Sequence, residues 1–137
     1  NRTSQNTSSR MKLRCEHNSL RLRLKKSDID QLKNNLQLEE TIAMPGGIFS
    51  YRLSIVSGAI EVAATLNGQS IEIGIPAGIA MDWIGSTETG IYRTIKLPDQ
   101  DSLSISIEKD FICKDRKEEN AMDFFKPAEL NHPADSC

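Results

Sequence analysis

From residue 11 onward, apolar and polar positions alternate in several separate runs. Leu20, Leu22 and Leu24 enclose Arg21 and Arg23, and Ile71, Ile73 and Ile75 enclose Glu72 and Gly74. Tyr51, Leu53 and Ile55 repeat the pattern, as do Leu103, Ile105 and Ile107. Successive strand side chains point to opposite faces, so each run predicts a strand buried on one side only. A shift of 51 residues lays 11–32 over 62–83, with the three leucines falling on the three isoleucines, Ser19 on Ser70 and Leu32 on Trp83. In the second copy Asn67-Gly68 separates two alternating runs and predicts a type I′ hairpin, whose central residues both need φ > 0. His17 stands where Gly68 does, so the first hairpin is expected to turn more loosely or in another register.

A short helix is predicted after each hairpin. Ser27 can cap the first with Asp30 three residues on, and Ile29, Leu32 and Leu36 give it an apolar stripe. Pro76 suits the first turn of the second, where Ile79, Ala80, Trp83 and Ile84 face inward and Gly85 ends the helix. Two further strands follow each helix, at about 38–44 with 49–57 and 90–97 with 102–111. The sum is a mainly β (α+β) domain at 11–111: a small pseudo-symmetric barrel of two ββαββ repeats, about 11–56 and 61–111, with two short helices. Residues 1–10 are polar and read as a disordered extension. Residues 112–137 read as a tail, docked on the domain by Phe124-Phe125, because exposing both rings would leave an apolar spot without purpose.

A strand of alternating apolar residues running into proline and a short helix, here Ile71, Ile73, Ile75, Pro76 and "AGIAMDWIG", resembles the AbrB/MraZ-type swapped-hairpin domains. That resemblance covers about 11–111 and implies one barrel built from two paired units. It also implies DNA as a partner, since most members bind it, although Lys25 stands where the second copy has Pro76. Over 11–137, "MKLR", "NSLRLRLKKSDIDQL", "EETI", "YRLSI" and "EKDFICKDRKEENAMDFF" together resemble a family of small bacterial proteins without assigned function. That likeness implies no activity and no catalytic residues.

Charge is unevenly spread. Residues 1–26 hold eight Lys/Arg against one Glu, whereas 97–137 hold five against ten Asp/Glu. A nucleic-acid coat over the whole surface is excluded by this distribution; a local anion-binding face is not. If 11–15 pairs with 20–24, Lys12, Arg14, Arg21, Arg23 and Lys25 share the outer face and like charges oppose each other across the ladder, which is unfavourable. The corresponding positions of the second copy are Ala63, Thr65, Glu72, Gly74 and Pro76, so the fold does not require this charge. Two neutralisers are expected: nucleic acid or another polyanion, or the acidic tail of the same chain. The reading that follows is a non-catalytic binding module with these five residues as its anion site.

The alternative is a metal- or thiol-dependent enzyme built on Cys113, His132 and Cys137. Their C-x18-H-x4-C spacing matches no standard zinc pattern, and a fourth ligand has to be guessed, with Asp115 and Asp123 nearby. Cys15 continues the core-facing alternation and is expected to be buried. Three sparse cysteines suggest a reducing, cytoplasmic compartment. No G-x-S-x-G, P-loop or H-E-x-x-H motif is found, no cofactor is implied, and no apolar run approaches the length of a membrane span. Glu39 and Glu40 are adjacent strand residues on opposite faces and cannot act as one acid pair. Trp83 is expected to pack in the core.

Overall fold

The computed structural model describes residues 11–111 and 123–126. Its elements run β1 (Lys12–Glu16), β2 (Ser19–Leu24), α1 (Lys26–Asn35), β3 (Gln37–Met44), β4 (Gly47–Val56), β5 (Ala63–Asn67), β6 (Ser70–Pro76), α2 (Ala77–Ile84), β7 (Gly90–Lys96) and β8 (Ser102–Lys109). The protein is therefore mostly β with two short helices. The strands form two four-stranded sheets, β1-β2-β8-β7 (sheet A) and β3-β4-β6-β5 (sheet B). Each sheet takes one hairpin from the first half of the chain and one from the second, joined at its centre by a parallel pairing, β2 with β8 or β4 with β6.

This corrects the expected barrel. Closure would need an edge strand of one sheet to bond an edge strand of the other, and among the described strands none does. Two of the four edge strands, β1 and β5, have only five residues each, and short edges offer little backbone to pair. Lys12 and Arg14 also charge the β1 edge, which discourages further pairing.

The first hairpin pairs Lys12 with Arg23, Arg14 with Arg21 and Glu16 with Ser19. The β5–β6 hairpin pairs Ala63 with Gly74, Thr65 with Glu72 and Asn67 with Ser70, the same register 51 residues on. The first turn is therefore neither looser nor differently registered. His17 itself takes a left-handed conformation, φ 54°, matching Gly68 at 61°. In both hairpins only the first of the two turn residues has positive φ, as in a type II′ turn, so the second turn centres on Gly68-Gln69 and not on Asn67-Gly68.

Helix α1 starts earlier than the Ser27 signal suggests. Lys25 is its N-cap, and the Asp28 carboxylate, three residues on, accepts the Lys25 N–H at 2.9 Å. Ile29 and Leu32 are buried, but Leu36 is half exposed because it is the left-handed C-cap, φ 64°, that ends the helix. In α2, Pro76 is the N-cap, Ala80 and Trp83 are buried, and Gly85 is the C-cap. Leu22, Leu24 and Ile107 from sheet A meet Leu53, Ile73 and Ile75 from sheet B in one core with both helices. Trp83 packs there and donates Nε1–H to the Thr89 carbonyl at 3.2 Å.

Residues 123–126 lie against sheet A and α1. Phe124 is 5% exposed, the Phe125 N–H donates to the Asp110 carbonyl at 2.8 Å, and Phe111 and Phe125 form a parallel bridge. The docking expected of the paired phenylalanines is present at these residues. The rest of the expected docked tail lies outside the described residues.

Candidate anion-binding face

Parity along β1 and β2 turns Lys12, Arg14, Arg21 and Arg23 outward, and the hairpin register sets them opposite one another in two like-charged pairs. Together with Leu13 they line a cleft of about 300 Å³. Lys25 does not join them. The strand ends at Leu24, and Lys25 turns into α1, its ammonium 5.9 Å from the centroid of the Phe124 ring.

What holds these cations together was not foreseen. The parallel pairing of β2 with β8 brings Glu108 beside Arg23. Its Oε1 lies 3.0 Å from Arg23 Nε and 3.5 Å from Arg21 Nε, while its Oε2 accepts the Tyr92 hydroxyl at 2.8 Å. One buried carboxylate thus relieves two guanidiniums. The same bond, with burial and the negative charge beside it, holds the Tyr92 phenol well above its ordinary 10.0, burial being the largest cause. Lys12 has its own counter-ion: Nζ lies 3.0 Å from Oδ2 of Asp110, whose side chain is buried. Among the described residues Arg14 pairs with Glu16 on its own strand, at 3.2 Å, with both side chains in solvent, a pair worth little. Part of the neutralisation thus comes from β8, an element not considered for the role; most of the acidic tail lies outside the described residues.

Of the tail, the described residues 124 and 125 contribute through their rings. The Lys12 ammonium lies 5.4 Å from the Phe124 centroid, and Lys26 and Lys109 lie 5.6 and 5.7 Å from that of Phe125. Asp123 spends its charge on the first turn of α1, accepting the Ser27 N–H at 2.8 Å and the Ser27 hydroxyl at 2.6 Å. Lys109 is buried between Trp83 and Phe125 and donates to the Ser86 carbonyl at 2.6 Å. Burial lowers its amine below the usual lysine value of 10.5, opposed by Glu88.

Sheet B carries the opposite polarity. There a single cation, Arg52, lies between two carboxylates, 3.6 Å from Glu39 and 3.5 Å from Glu72. Glu40 points the other way and accepts the Met11 N–H at 3.2 Å, so the two adjacent glutamates do lie on opposite faces.

Cys15 is exposed, which corrects the expectation that it is buried. Alternation assigns its face correctly, but at that end of the edge strand β1 the sheets part around a cavity of about 240 Å³ that Cys15 lines with Leu20, Ala64, Leu66 and Ile71. Cys113, His132 and Cys137 lie outside the described residues. Among the described residues, no three His, Cys, Asp or Glu side chains converge as metal ligands, and no helix is long and apolar enough to cross a membrane.

The signal for Glu108 was present in "SLSISIEKD", where parity puts Ser104, Ser106 and Glu108 on one face. Only the neighbour across the parallel pairing was missing. Comparison with known proteins returns a family model described as a family of unknown function, DUF7009, over residues 11–129. No curated protein and no solved structure matches, so the resemblance to AbrB/MraZ-type domains gains no support. With most of its length matched by that model, the chain belongs to the DUF7009 family, a family of unknown function.

Proposed function

We propose that this protein is a binding module that takes an anionic partner on the outer face of sheet A, with Arg14 and Arg21 as the contacting cations and Lys12 and Arg23 behind them. The observation that carries this reading is the cleft walled by four cationic side chains, in a hairpin whose register-matched sister carries Ala63, Thr65, Glu72 and Gly74. Glu108 and Asp110 take up part of the charge at the Lys12–Arg23 end. Arg14, with 64% of its side chain exposed, and Arg21, with 38%, remain open to solvent. The contact is accordingly narrower than the five-residue stripe expected from sequence. Phosphate or sulfate groups suit paired guanidiniums, which offer forked donors to planar or tetrahedral oxyanions.

Retention on heparin at about 50 mM salt, where screening is still modest, tests this reading. The wild-type protein is expected to be retained, and the double variant Arg14→Gln with Arg21→Gln to pass through unretained. Equal elution of the two proteins would refute it.

A further inference from the structure

The strand registers of sheet A align one row of outward side chains across all four strands. Arg14 stands opposite Arg21, Arg21 opposite Ser106, and Ser106 opposite Tyr92. Two guanidiniums, a hydroxyl and an aromatic ring therefore follow one another over three strand spacings, about 14 Å. The matching row of sheet B reads Thr65, Glu72, Arg52 and Glu39, with neither an aromatic nor a cationic excess.

Tyr92 is built into its place. Its hydroxyl is held by Glu108, which Arg23 holds in turn. A Cβ on Gly90 would come within 2.9 Å of both the Tyr92 hydroxyl and Glu108, so the glycine leaves the space that this bond needs. The polar end of the side chain is used up inside the sheet while half of the residue remains exposed. What Tyr92 offers to solvent is thus ring carbon, fixed in position, on a face of cations and hydroxyls in which the Glu108 carboxylate is paired with Arg21 and Arg23. Beside it, Ser104 and Thr94 pair and continue the hydroxyl surface, and Lys96 lies further along β7.

We infer, resting on the anion-binding reading above, that the partner is a single-stranded nucleic acid. It crosses this row with phosphates on Arg14 and Arg21 and a base stacked on Tyr92. Every base has a π-face, so such stacking tolerates sequence, while the guanidiniums supply a salt-dependent backbone contact. A duplex fits poorly: its bases are stacked on each other, and among the described residues no helix or ribbon projects from this sheet face to enter a groove. A sulfated polysaccharide would use the cations but has no base to place on the ring.

The test uses the full chain and fluorescence anisotropy with a labelled mixed-sequence 12-nucleotide strand, its duplex, and heparin elution in parallel. The wild-type protein is expected to bind the single strand more tightly than the duplex. Tyr92→Leu should weaken single-strand binding about tenfold or more at an unchanged heparin elution point, whereas Tyr92→Phe, which keeps the ring and loses the bond to Glu108, should bind like wild type. Arg14→Gln with Arg21→Gln should weaken both the oligonucleotide and heparin. Retention on heparin with no single-strand binding, with equal duplex binding, or with no effect of Tyr92→Leu overturns this inference and leaves the anion-binding reading standing. No retention on either matrix overturns both.

Discussion

Arg23 and Glu108 face each other across the parallel pairing of β2 and β8, with guanidinium Nε and carboxylate Oε1 3.0 Å apart. The contact joins residues 85 positions apart and seats a carboxylate beneath the basic face. Glu108→Gln leaves Arg21 and Arg23 near each other with only a neutral acceptor. It is expected to lower stability by on the order of 2 kcal/mol, the range for hydrogen bonds to charged groups, read as a shift in urea midpoint. The same variant should elute from heparin at higher salt than wild type, because a negative charge has left the face. Arg23→Glu would set a second carboxylate beside Glu108 and should destabilise the fold, so it is a poor probe of binding.

Buried Lys109 and half-exposed Tyr92 give opposite slopes in alkaline solution. Lys109 is depressed in the folded state, so the unfolded chain binds more protons below 10.5, and stability rises with pH through that window. Tyr92 is raised, so the folded chain keeps its proton after the unfolded chain has lost it, and stability falls as pH climbs above 10.0. Tyr92→Phe is expected to abolish the fall above pH 10, and Lys109→Met to flatten the rise below it, in urea titrations between pH 8 and 11.

The docking of residues 123–126 rests on Asp123 at the first turn of α1 and on buried Phe124. Phe124→Ala should release the segment. Hydrogen exchange checks this at one amide: Phe125 N–H, which donates to the Asp110 carbonyl, is expected to be protected in wild type and to exchange rapidly in the variant.

Cys15 is expected to react with a maleimide in the native protein, located by peptide mass mapping. A thiol protected until denaturant is added would contradict its exposed position.

Leu22 and Ile73 hold matching places in the two hairpins and are both buried, next to Ile107 and Leu53 respectively. Leu22→Ala and Ile73→Ala should each cost about 2–5 kcal/mol in chemical denaturation.

Period-two alternation made β2, β4, β6 and β8 legible, because side-chain parity is a local property of extended chain, and their hairpin partners followed from chain order and the turns between them. With 11–15 laid against 20–24 it also gave the like-charged pairs Lys12/Arg23 and Arg14/Arg21, although the register itself was left open at the His17 turn. Glu108 was not legible as their partner, since a parallel neighbour is chosen by tertiary packing and leaves no mark near either strand. Cys15 shows the same limit in another form: parity gives the face of a residue, not whether anything covers it. The Ser27 signal failed because a stronger acceptor, Asp28, lay one residue on and could reach back to Lys25, leaving Ser27 to be bonded by Asp123. His17 was misjudged because a left-handed non-glycine residue is costly on average, yet two well-matched strands can enforce it.

Because each sheet combines one hairpin from either half of the chain, neither half can complete a sheet alone. A fragment ending near residue 56 would carry two hairpins whose central strands, β2 and β4, lack their parallel neighbours, and the remaining fragment would lack the converse. The halves are obligate complements despite their similar patterns. The β2–β8 pairing joins residues 85 positions apart, which raises contact order and slows folding relative to a chain of the same size built from adjacent hairpins alone.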